Sequence, residues 1–98
     1  MSAEIARLRA KIDALDRRIV GLLNRRLATV SEIGRLKAEL GLASYSKSRT
    51  AEIMRNLASA NRGPHTAAQL RRIYEQVVAA SVELQEQQDR RRTKSKRR

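Results

Sequence analysis

The sequence predicts an all-α protein of three helices, the first very long, that pairs with a second copy into an intertwined homodimeric bundle. Three observations predict it. Ile5, Leu8, Ile12, Leu15, Ile19 and Leu22 are spaced alternately three and four apart, and the same stripe resumes at Ile33, Leu36 and Leu40. Helix-stopping residues are confined to Gly41 and to Gly63-Pro64, which divide the chain into three pieces. The chain has 98 residues and two aromatics, Tyr45 and Tyr74, so any core is aliphatic and small. A single domain is expected.

The first helix spans roughly Ala3 to Leu40. It holds no proline, and its apolar positions fit a heptad through about five repeats. Gly21 and Gly34 each weaken a helix by about 1 kcal/mol relative to alanine, which calls for a packing reason at both. At ~1.5 Å per residue the helix is about 55 Å long. A compact domain of this size has a radius of gyration near 13 Å, so the helix overhangs any monomer and leaves its apolar stripe bare. A partner chain with an equivalent helix resolves this, hence the homodimer.

The second helix runs from Ser46 or Ser48, either of which is a suitable N-cap, to Asn61. Its apolar line is Ile53, Leu57 and Ala60. Thr66-Ala-Ala-Gln69 reads as a capping box that opens the third helix, which carries Leu70, Ile73, Val77, Ser81 and Leu84 on one stripe and runs to about Arg90. Residues 1–89 form the helical domain, and 90–98 are expected to be a disordered basic tail.

Composition excludes several functions. With no cysteine there are no disulfides, thiolate nucleophiles or cysteine metal sites. The one histidine, His65, follows the Gly-Pro turn signal and reads as a solvated loop residue rather than a metal ligand. No apolar run reaches the ~20 residues of a membrane span, and no signal peptide is visible, so a soluble cytoplasmic protein is expected. The net charge is +12, but RRRTKSKRR at the end supplies seven of those charges, leaving +5 for residues 1–89. The basicity is largely a property of the tail.

Several polar residues stand on stripes that should be buried. Arg26 falls on the seam of the first helix where a heptad core residue belongs, whereas Arg25 is one step off it. Lys37 is eleven residues after Arg26, three turns within about 20°, so the two share a face. Arg49 is one turn before Ile53, and Ser81 and Gln85 are an i, i+4 pair beside Leu84. A buried charge without a partner costs several kcal/mol. Glu32, Glu39, Glu52 and Glu75 mostly lie off the stripes. A lone core arginine can fix register, but cations and hydrogen-bonding groups on all three helices point to a shared dicarboxylate guest.

Those residues also carry a family resemblance. LRAKIDALDRRIVGLLNRRLATVSEIGRLK, residues 8–37, closely resembles the first helix of the all-helical AroQ-class chorismate mutases: Leu-Arg-x-x-Ile-Asp-x-Leu-Asp, Leu-Leu-x-x-Arg and Ile-Gly-x-x-Lys. Tyr45 and Arg49 resemble the family's entry to helix two, and Ser81-x-x-x-Gln85 its helix-three motif. The resemblance covers about residues 5–88. It implies an intertwined three-helix dimer that converts chorismate to prephenate, without metal or cofactor. In that site Arg26 and Arg9 would bind the two carboxylates, and Lys37 and Gln85 would donate to the ether oxygen. Arg49 would hold a carboxylate with Ser81 nearby. Arg9 lies seventeen residues before Arg26, about 25 Å along the axis, so it can serve the site only from the other subunit. Asp13 and Asp16 are expected to be helix-surface or structural residues.

The match departs at one corner. Family members usually carry Glu directly after the helix-two arginine and often Asp three residues before it; here these are Thr50 and Ser46. That corner would face the C4 hydroxyl of the substrate ring. The alternatives are a mutase or pyruvate lyase acting on a chorismate relative, 4-amino-4-deoxychorismate or isochorismate. A basic helical nucleic-acid-binding protein is a further alternative, disfavoured because the domain nearly lacks aromatics and its distinctive cations lie on apolar faces. The tail is expected to be a solvated extension, with weak polyanion binding or docking to a shikimate-pathway enzyme as its other uses.

Overall fold

A computed structural model describes residues 2–43 and 46–96. Three helices follow one another: α1 (Ala3–Glu39), α2 (Lys47–Ala60) and α3 (Ala67–Lys96), and no strand forms among the described residues. The bounds of α1 and α2 agree with the sequence periodicity to within a residue or so.

Each helix end has a local cause. Ser2 caps α1, its Oγ accepting from Ile5 N at 3.2 Å. At the other end Gly41 takes φ +69°, Gly41 N donates to Ala38 O (3.2 Å) and Leu42 N to Lys37 O (2.8 Å). This paired closure satisfies the last carbonyls and locks the turn that carries Lys37. Of the two candidate caps for α2 the structure selects Ser46, whose Oγ accepts from Arg49 N at 3.3 Å, with Ser48 Oγ 2.8 Å away. The capping box of α3 is reciprocal: Thr66 N donates to Gln69 Oε1 (3.0 Å) and Gln69 N to Thr66 Oγ1 (3.1 Å). Between α2 and α3, Asn61 accepts from Gly63 N and donates through Nδ2 to His65 O, both at 2.9 Å, and His65 is exposed.

One bound differs from expectation: α3 does not end near Arg90 but continues to Lys96. Arginine and lysine are strong helix formers, no glycine or proline follows Pro64, and cations favour a helix C-terminus. Asp89 anchors the extension, pairing with Arg92 (3.4 Å) and accepting Thr93 Oγ1 at its carbonyl (3.0 Å). Half-buried Arg92 lies beside Ala38 and Leu42, so the extension leans on the end of α1. The basic residues Arg97 and Arg98 lie outside the described residues.

α3 packs against both α1 and α2, and α1 and α2 are not packed directly on one another. Arg26 bonds Ser81 and Ser31 bonds Gln88, so α1 and α3 run parallel. α2 folds back on α3, with Met54 and Leu57 beside Leu70. The molecule is elongated, 63 × 28 × 16 Å with a radius of gyration of 17.9 Å. Among the described residues only Gly34 and Ser81 are buried, and no apolar side chain is. Ile12 (56% exposed) and Leu22 (57%) typify the open stripe of α1.

Candidate active site

The stretch of α1 from Arg26 to Lys37, the start of α2 and the middle of α3 enclose a cavity of about 390 Å³. Its polar lining is Arg26, Lys37, Ser46, Arg49, Thr50, Ser81 and Gln85. Val30, Ile33, Ile53, Val78 and Val82 form its apolar walls. No carboxylate of the described residues lines it. The volume suits a small ligand, and apolar walls with a few convergent polar groups are the usual composition of such a site.

The local chemistry of each group follows from the helix that carries it. Arg26 is half-buried; its Nη1 donates to Ser81 Oγ at 2.8 Å and its guanidinium carbon lies 5.9 Å from the Tyr74 ring centre. Ser81, 8% exposed, also donates to Val77 O (3.2 Å), so it is a fixed acceptor for Arg26. No carboxylate pairs with Arg26 among the described residues. Tyr74 supports the cation through its ring face without neutralising it. Lys37 is half-buried on the same face as Arg26, one turn from the glycine stop.

Arg49 lines the cavity while pairing with Glu52 on its own helix; both side chains are more than half exposed. Such a pair is worth at most about 1 kcal/mol, so an incoming anion can displace it. Thr50 Oγ1 donates to Ser46 O at 3.4 Å, which closes the α2 corner with two hydroxyl-bearing residues and no charge.

Seven of the eight residues singled out in the sequence therefore meet at one cavity. The eighth, Arg9, is exposed on the N-terminal half of α1 and does not line it. Tyr45 lies outside the described residues. Tyr74 and the valine and isoleucine walls were not legible as site residues. Tyr74 stands seven residues, two turns, before Ser81, and that spacing was the available signal.

Residues 8–86 match the family described as chorismate mutase type II. The chain belongs to that family. Among solved structures, chorismate mutase (form II) from Thermus thermophilus is 38% identical, with a TM-score of 0.83 over 87% of this chain and 97% of that one. Form I of the same enzyme gives 37% and 0.78, over 80% and 98%. A conserved hypothetical protein from Pyrococcus furiosus gives 29% and 0.71, over 87% and 99%. The T-protein of Enterobacter agglomerans is 39% identical over 54 residues, which is 55% of this chain and 14% of that much longer relative. The chorismate mutase type II match takes in every residue of the cavity lining.

Proposed function

We propose that the protein is a chorismate mutase, catalysing the [3,3] rearrangement of chorismate to prephenate. The observation that carries the reading is the cavity itself: three cations, Arg26, Lys37 and Arg49, converge there with Gln85 and Ser81, in a lining that contains no carboxylate of the described residues. A dicarboxylate is the complementary guest.

The residue inventory fits the chemistry. One C–O bond breaks and one C–C bond forms in a single cyclic shift of electron pairs, with no proton, nucleophile or metal required. The enzyme has to hold the enolpyruvyl arm over the ring, which anchored carboxylates do. Arg26 and Arg49 are those anchors, and Ser81 holds the Arg26 guanidinium in place until the substrate arrives. Negative charge grows on the ether oxygen in the transition state, and Lys37 and Gln85 are the donors for it. Apolar walls raise the worth of both.

Arg9 completes the site from a second copy, in a homodimer paired along α1. The bare stripe of α1 supports this, as does Gly21, around which a Cβ would meet nothing within 4 Å of its own chain. At the α2 corner, Ser46 and Thr50 are neutral hydrogen-bonding partners for a ring hydroxyl. A ring ammonium would meet a lining with three cations and no carboxylate of the described residues, which favours chorismate over its 4-amino relative.

Assaying purified protein with chorismate, isochorismate and 4-amino-4-deoxychorismate side by side tests the reading. Prephenate formation from chorismate, well above turnover of the other two, is expected. No turnover of chorismate would overturn it. Thr50→Glu should raise efficiency on chorismate if the neutral corner is a weakened contact.

A further inference from the structure

Gly34 is the buried residue of α1, and the proposed reaction gives it no task. A Cβ there would lie 2.8 Å from Gln88 Oε1 and 4.0 Å from Gln85 Cγ. Alanine would stabilise the helix by itself, so the glycine is explained by what it faces. It faces a glutamine on α3 that lies on none of the cavity walls.

Gln88 donates through Nε2 to Ser31 Oγ, one turn before Gly34. Its Oε1 is buried against Gly34 and has no hydrogen-bond donor among the described residues. A leucine at this position would avoid that unsatisfied acceptor, so the glutamine is disfavoured for stability alone. It also sits three residues after Gln85, on the adjoining turn of the same face.

The side-chain hydrogen bonds from Arg26 to Ser81 and from Gln88 to Ser31 both join α1 to α3, and they bracket Gln85. The first is given up or shared when a substrate carboxylate engages Arg26. The second is made by residues outside the cavity lining and persists. We infer that Gly34, Ser31 and Gln88 form a positioning clamp that sets the approach of α1 to α3 and so aims Gln85 and Lys37 at the same substrate atom. Gly34 admits the amide, Ser31 holds it, and Gln85 is carried on the turn thus fixed. Their role is positioning: none of the three touches the substrate. The inference rests on the proposed reaction for its kinetic readout and on helix packing alone for its spectroscopic one.

The test compares Gly34→Ala, Gln88→Ala and the double variant, in the full chain, by kcat and KM with chorismate and by NMR of the side-chain amides. The added Cβ must push the Gln88 amide off Gly34 and so off Ser31, which loosens the clamp, so Gly34→Ala should lower kcat severalfold, with KM within about threefold. With Gln88 already removed, the same glycine substitution should change kcat by less than about twofold, because the colliding amide is gone. Equal losses in both backgrounds, or a loss confined to KM, would overturn the clamp. If Gly34→Ala does not fold, Ser31→Ala serves: it deletes only the acceptor, and kcat should fall severalfold with helicity unchanged. Independently of turnover, Gly34→Ala should shift the Gln85 and Gln88 amide resonances; unmoved resonances would sink the clamp. An unaltered chain inactive on chorismate, with those resonances shifting as stated, would instead refute the proposed reaction.

Discussion

Arg26 interrupts an apolar seam and is half-buried, yet its polar contacts are a serine hydroxyl and the face of Tyr74. Neither cancels a unit charge, and burying one unpaired is unfavourable by several kcal/mol unless water or a guest offsets it. The cavity lining as a whole is cationic, which is why its charge identifies the guest better than its shape does. In the proposed reaction Lys37 and Gln85 are the donors to the ether oxygen. Lys37→Ala should lower kcat on the order of 100- to 1,000-fold, as loss of an oxyanion donor does, with circular dichroism unchanged. Because Gln85 is an amide and does not titrate, turnover should stay level from about pH 6 to pH 8; a steep loss across that interval would show that an acidic second donor is required. Arg26, Lys37, Arg49, Ser81 and Gln85 were legible because each places a polar group on an apolar stripe. Tyr74, Ser31 and Gln88 were not: all three matter only through a partner on a distant helix.

Caps decide where the helices begin and end, and hence which residues reach the cavity. The Gly41 closure fixes the turn bearing Lys37, and Ser46 starts α2 at the cavity rim so that Arg49 and Thr50 face inward. The Thr66–Gln69 box lies at the start of α3, about 18 Å along the axis from Val78, the first cavity-lining residue of that helix. Thr66→Ala should therefore destabilise the fold by about 1 kcal/mol, seen as a thermal midpoint several degrees lower, and leave kcat unchanged. Sequence patterning placed α1, α2 and the start of α3 closely. It ended α3 six residues early, because the apolar stripe stops near Leu84 while Asp89 and the flank of α1 hold the following turns.

A chain 63 Å long with no buried apolar side chain among its described residues is not a finished globule. The proposed dimer covers α1 and supplies Arg9, and it yields a test that needs no structure. Arg9→Ala and Arg26→Ala should each be nearly inactive. Unfolded and refolded together, they should recover up to about a quarter of normal activity, because hybrid dimers hold one intact site in two. No recovery, in a mixture shown to contain hybrids, would place Arg9 outside the site.

Periodicity, caps and misplaced charges are local signals along one chain, and they were enough for the three helices, the overhang of the first and most of the candidate cavity lining; the family came from the resemblance of its motifs. Other facts came only with the folded chain: that Arg26 rests on Ser81 and Tyr74, that Arg49 first engages Glu52, and that Gly34 makes room for Gln88. The first and last of these depend on how α1 and α3 are set against each other. That setting is fixed by side-chain contacts between residues more than fifty positions apart, which no periodicity within a single helix encodes.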